Sequence, residues 1–218
     1  MRQLLFSLGV CAATASAQQA PDSAFDVSIE RPAFAAGAPH VVIDEAHNNF
    51  HTATGRYLPF ANLLRSDGLR VSAGTTPFTA QSLRGIGILV ISNALPPRGT
   101  VRSDTASAAF TAAESDAVRD WVRSGGSLLL IADHAPFGSA AQVLASRFGV
   151  DMGQGYAYDT AHFFRSRAIA HPSLLLYTRD NGLLGDHAIT RGRHATERVD
   201  TVVAFTGQSL SIPAGAVV

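Results

Sequence analysis

Between residues 40 and 148 the chain alternates short runs of branched apolar residues with stretches of helical spacing, and this alternation restricts the fold more than any other feature. His40 to Ile43 is one such run and ends in Asp44. Leu69 to Ala73, Gly87 to Ser92 (G-I-L-V-I-S) and Ser127 to Ala132 (S-L-L-L-I-A) follow. Short apolar runs without polar alternation are the pattern of strands covered on both faces. Tyr57 to Ser66 places Leu58, Ala61 and Leu64 on one helical stripe, and Gly68 stops it. Thr111 with Glu114 three residues later is a capping box, opening a helix through Trp121 and Val122 that ends at Gly125-Gly126. Ser139 to Phe148 predicts a third helix. The alternation predicts an α/β fold: a three-layer, mostly parallel sheet of flavodoxin or Rossmann type with helices on both faces. Right-handed crossovers then place the first, third and fourth strands side by side.

After Gly149 the pattern thins. Tyr156 to Arg167 predicts an excursion, and Leu174 to Tyr177 and Thr201 to Phe205 predict strands. Ala214 to Val218 resembles the start of another strand, so we expect the domain to continue past residue 218.

The N-terminus reads as a secretory signal over 1–17. Arg2 precedes an apolar run, Leu4 to Ala15, and Ala15-Ser16-Ala17 fits the small-residue cleavage rule. Val10 before Cys11 suits lipoprotein processing poorly. The run is too short to cross a bilayer, so no stable membrane span is expected after cleavage. Residues 18–39, punctuated by Ala, Pro, Ser and Gly, read as an export linker with an edge element around Phe25 to Ile29. Residues 40–218 form the α/β domain, in a periplasmic or extracellular location.

Composition excludes several chemistries. The only cysteine is Cys11, within the signal, so the mature chain has no thiolate nucleophile and no Cys-ligated metal. All 17 Lys+Arg residues are Arg, which removes Schiff-base lysines and the P-loop lysine. The formal net charge is +0 and there is no basic stripe, so nucleic acid is not an expected partner. Asp44-Glu45-Ala46-His47 matches a DEAH helicase string. Without a G-x-x-x-x-G-K-[ST] loop or any lysine, the helicase reading fails. No G-x-S-x-G elbow is present either.

What remains is a polar edge. Ligands of open α/β sheets bind beyond the carboxyl ends of the strands. The first strand delivers Asp44, Glu45, His47, Asn48, Asn49 and His51 there, the third Asn93, and the fourth Asp133 and His134. His134, His47 and Glu45 are the candidate catalytic groups, with an imidazole as general base. Asp44, Asn48, Asn49, His51, Asn93 and Asp133 are candidate ligand-binding groups. The plainer reading stays open beside this one, because Asp and Asn after strands also close turns and cap helices. No cofactor is expected. The alternative is a divalent metal held by His47, His51, Asp133 and His134, although His47 and His51 would face together only on a helix. Two further segments carry candidates. Tyr158 and His162 sit in an aromatic patch with Tyr156 and Phe164, which reads as a pocket wall, a stacking surface for a sugar, or a packed excursion. His187 opens a polar loop, Gly185 to Gly192, whose plain reading is a surface turn.

The order of these pieces resembles the class I glutamine-amidotransferase-like superfamily. The resemblance is closest to an uncharacterised bacterial family of that group with a D-E-A-H-N-N opening. It rests on Val42 to His51, the helix into Val122-Arg123-Ser124-Gly125-Gly126, Ala132-Asp133-His134, and His187 to Gly192. The last is similar to the H-P-I-T-x-G loop of trehalose-utilisation-type relatives, and the whole covers most of residues 40 to 210. Glutaminase members place a Cys after a central strand; here that turn holds Asp133-His134-Ala135, so thioester chemistry is excluded. The resemblance implies an exported module without glutaminase activity, binding a small molecule or glycan or serving in an envelope assembly. The alternative is a metal-assisted hydrolase using the Asp/His cluster.

Overall fold

The structure is a computed structural model that describes residues 20–35, 37–97 and 107–216. The expected signal peptide over 1–17 lies outside the described residues, as do Val217 and Val218. Strands β1 (His40–Asp44), β2 (Arg70–Gly74), β3 (Ile88–Ser92) and β4 (Ser127–Ile131) form one sheet in the order β2-β1-β3-β4. All its pairings are parallel, with Val42 between Ser72 and Leu89, and Val90 opposite Leu129. The first, third and fourth strands therefore lie side by side, as the crossover rule predicts.

Helix α1 (Leu58–Ser66) follows β1, α2 (Ala112–Arg123) joins β3 to β4, and α3 (Phe137–Ala145) follows β4. Successive residues of a strand point to opposite faces, so β1 and β3 feed two apolar clusters. Val41, Ile43 and Val90 pack with Phe60, Ala61 and Leu64 of α1. Val42, Leu89 and Ile91 pack with Val118 of α2 and with Ala140, Ala141 and Leu144 of α3. Val41, Ile43, Leu89 and Ile91 are fully buried. At about 1.5–3 kcal/mol per side chain, they outweigh any single cap or surface ion pair.

β4 departs from its sequence pattern. It is the last strand of the sheet, and Leu129 is 43% exposed while Leu128 and Leu130 join the α2/α3 cluster. A continuous apolar run does not distinguish a central strand from an edge strand covered on one side. The element ends follow local chemistry. Gly68, at φ +93°, ends α1, and a Cβ there would stand 2.1 Å from the Phe34 carbonyl oxygen. Thr111 caps α2 reciprocally with Glu114, whose Oε2 accepts the Thr111 N–H at 2.9 Å. α3 begins at Phe137 rather than Ser139 and runs into a 3₁₀ turn over Ser146–Phe148.

Beyond α3, β5 (Asp151–Met152) pairs antiparallel with β9 (Leu210–Ser211). β6 (Phe163–Arg165), β7 (Ala170–Thr178) and β8 (Thr201–Phe205) form a separate antiparallel sheet. The expected strands at 174–177 and 201–205 are present, and the excursion contributes β6. A short helix, α4 (Ala188–Arg191), lies between β7 and β8. Residues 20–35 contain no strand. They run as a strap instead, with Ala33 N–H donating to Asp67 Oδ1 at 2.6 Å and Arg193 Nη2 donating to the Arg31 carbonyl at 3.1 Å. Among the described residues no helix is long and apolar enough to cross a membrane.

Candidate functional site

The sheet order reverses between β1 and β3, and the crevice beyond their carboxyl ends is where an open α/β sheet usually receives its ligand. Here the Asp44-to-His51 segment occupies that crevice itself. Asp44, 0% exposed at the end of β1, accepts only from donors: the Ala46 N–H, the Asn49 amide and His47 Nδ1 at 2.9–3.2 Å. Asn49 Oδ1 receives the His47 N–H at 3.1 Å, and Asn48, at φ +46°, donates its amide to the Pro96 carbonyl. The Leu95 N–H reaches the His47 carbonyl at 2.8 Å and the Phe50 N–H reaches the Asn93 carbonyl at 3.1 Å. The segment is thereby stitched along the loop that follows β3.

His47 is the centre of this plug. Its Nδ1 contacts Asp44 and its Nε2 contacts Glu114 Oε1 at 2.9 Å, while the rings of Phe78 and Phe110 each lie 4.7 Å from its own. With a carboxylate at each nitrogen, both nitrogens must carry protons, so the geometry describes an imidazolium. Burial works against that charge. Hydrogen bonds and charge attraction from Asp44 and Glu114 outweigh it and hold the His47 pKa above its usual value. Burial likewise opposes ionisation of Glu114. The Thr111 N–H, His47 and the Thr111 hydroxyl nevertheless hold its carboxyl below the usual range. Glu45 serves a turn: its Oε1 accepts the Ala53 N–H at 2.8 Å.

A second set of groups lies along the same edge with atoms left over. Asn93 is buried at φ +48° after β3, and its Oδ1 accepts the Asp133 N–H at 2.9 Å, tying β3 to the end of β4. Its amide nitrogen lies 3.3 Å from His51 Nδ1. The Ser92 hydroxyl lies at the same distance from that nitrogen, so Nδ1 is engaged from two sides. The His51 pKa is lowered, first by burial and then by the Arg56 charge, with Asp133 acting weakly against them. Ser92, fully buried, donates to the Tyr57 hydroxyl at 2.9 Å. His134 Nδ1 donates to the Ala135 carbonyl at 2.7 Å, which leaves Nε2 as an acceptor, 3.9 Å from Asp133 Oδ2. Among the described residues, His51 Nε2, His134 Nε2 and the Asp133 carboxylate have no hydrogen-bond partner. Both side chains of the Asp133–His134 pair are partly open to solvent.

The His134 ring stacks on Tyr156, with centroids 4.4 Å apart and planes at 19°, and lies edge-on to Phe205 at 6.3 Å. Tyr156 and Phe205 also line a groove of about 540 Å³ with Tyr158, Ile169, His171 and Thr206. The polar edge and the aromatic groove are therefore continuous.

The sequence candidates thus separate into groups. Asp44, Glu45, His47, Asn48 and Asn49 are engaged in the plug and its turns. His51, Asn93, Asp133 and His134 come together beside the groove, and Tyr158 lines it. No hydrogen bond or ring contact joins His47 to His134 among the described residues. His162 pairs with Asp159 across an exposed turn at 3.1 Å and His187 caps α4, and neither is among the groove's lining residues. Among the described residues no group of three or more His, Cys, Asp or Glu side chains is arranged to hold a metal ion. Reading the sequence did not identify Glu114 as His47's partner, because the capping box already accounts for that residue. Phe205 and His171 were missed because they lie on strands far along the chain.

The sequence matches no family model and no curated protein. Among solved structures it is similar to one described as "mmIFT52 N-terminal domain", with a TM-score of 0.58 and 17% identity over 82% of this chain and 70% of that chain. At that identity the likeness supports an α/β fold and nothing finer.

Proposed function

We propose that the chain is an exported ligand-binding module of the glutamine-amidotransferase-like type. It has no glutaminase activity, and it takes a small molecule or glycan at the carboxyl edge of a three-layer, flavodoxin-like sheet. In this reading it works in the periplasm, outside the cell, or within an envelope assembly. One observation supports the binding reading: His51 Nε2, the Asp133 carboxylate and His134 Nε2 lie along one edge without hydrogen-bond partners among the described residues, next to a groove of ligand-sized volume. Asp133 and His134 are partly open to solvent and their polar atoms are not committed to the described protein groups, which leaves them available to an outside partner. The second reading, a metal-assisted hydrolase using Asp44, Glu45, His47, Asp133 and His134, finds less support. Both His47 nitrogens are already engaged by carboxylates.

Ligand-observed NMR of the mature protein against a mixed library of saccharides, nucleosides and short peptides tests the reading. We expect at least one class to bind, with affinity reduced about tenfold by Asp133→Asn or His134→Ala, the size of a lost hydrogen bond to a charged or desolvated group. No binder in the library, or binding indifferent to both substitutions, overturns it. Metal content of the same preparations decides the hydrolase reading: stoichiometric metal lost in His134→Ala would revive it.

A further inference from the structure

The groove beside His134 displays aromatic surface that folding leaves in water. Tyr156 is 51% exposed, Tyr158 59% and Phe205 53%. Contiguous exposed aromatics of this kind mark binding surfaces more often than chance packing. Their positions are held firmly. Tyr156 is pinned by its stack on His134 and by its hydroxyl, which donates to the Ala135 carbonyl at 3.4 Å. Thr206, at φ +44°, donates its N–H to the Ser173 carbonyl and its hydroxyl to the Ala157 carbonyl, which fixes the end of β8 that carries Phe205. Tyr158 meets His171 edge-on at 6.3 Å, and His171 Nδ1 lies 2.8 Å from the Ser173 hydroxyl.

The lining also restricts what can enter. Its described residues are Tyr, Ala, Ile, His, Ser, Leu, Phe and Thr, with no Arg, Asp or Glu among them. A phosphate or other anion would find no fixed positive charge there. The polar end at Asp133 and His134 offers acceptors. A ligand suited to both parts is not an anion, donates hydrogen bonds to Asp133 and His134, and presents an apolar face to tyrosine and phenylalanine rings; a neutral polyol ring meets all three with its hydroxyls and C–H groups. Pyranose rings with equatorial hydroxyls have this combination, because their axial C–H bonds form an apolar face.

We propose that the groove is a subsite for a neutral hexopyranose chain. Tyr158 and Phe205 stack on its rings, and Asp133 and His134 accept from its hydroxyls at one end. This assignment rests on the ligand-binding reading and narrows it to one chemistry.

Calorimetric titration of the mature protein with cellohexaose, chitohexaose and maltohexaose tests the assignment. We expect saturable binding to at least one of them, weakened about tenfold by Tyr158→Ala and by Phe205→Ala. Tyr158→Phe should keep most of the affinity, since the ring and not the hydroxyl makes the contact. The side chains replaced are more than half exposed, so circular dichroism of the variants should match the wild type. No binding at millimolar oligosaccharide, or binding unchanged in both alanine variants, overturns the proposal. A nucleoside or peptide that binds instead, and depends on Asp133 and His134, removes the sugar assignment while leaving the ligand-binding reading in place.

Discussion

His47 illustrates how far a residue's environment decides its role. As part of a D-E-A-H string it is a candidate base. In the fold it is an imidazolium fixed between Asp44 and Glu114 and covered by Phe78 and Phe110. A base must have a free lone pair, and neither nitrogen has one. Removing the ring would leave the fully buried Asp44 without its cation, so His47→Ala should cost about 3–5 kcal/mol, measured by urea denaturation. The pH dependence has a definite sign. The His47 pKa is raised above 6.5 in the folded chain, so its stabilisation is complete below about pH 6.5 and is lost as pH rises through the folded value. The His51 pKa is lowered, so its contribution is lost in the other direction, as pH falls below 6.5. Melting temperature should therefore decline on the alkaline side in the wild type and lose that decline in His47→Ala. An alkaline limb that persists in the variant would assign it elsewhere.

At the scale of elements, what could be read from the sequence was what depends on near neighbours. The capping box at Thr111 and Glu114, the stop at Gly68 and the four parallel strands all follow from periodicity and turn chemistry within a few residues. The edge position of β4 did not follow, because S-L-L-L-I is the same string whether one face or two are covered. Nor did the strap over 20–35, whose structure depends on Asp67 and Arg193. Gly68 joins these two kinds of information. It needs a positive φ to end α1, and it also needs the missing Cβ to let the strap's Phe34 carbonyl approach. Gly68→Ala should therefore cost more than the ~1 kcal/mol of a simple left-handed position. A loss no larger than that would mean that the strap yields readily.

At the scale of the whole molecule, the sheet order sets the location of the site and the long-range contacts set its content. Asp133, His134, Asn93 and His51 were legible as strand-end residues, because parallel order brings carboxyl ends together. The division of that edge into a filled crevice and an open flank was not legible. It depends on Glu114 reaching back to His47 and on Phe205 arriving beside His134 from the second sheet. The central claim is that the D-E-A-H-N-N segment is structural, while recognition belongs to the His51–Asp133–His134 flank. The most direct test is a long-range ¹H–¹⁵N spectrum of the histidine rings, recorded at about pH 6, below the ordinary histidine value, with and without the hexasaccharide that binds in the titration. The account predicts that His47 shows two protonated nitrogens and does not move, while His134 shifts on addition of the oligosaccharide. A neutral His47 that shifts, with His134 unmoved, would contradict it.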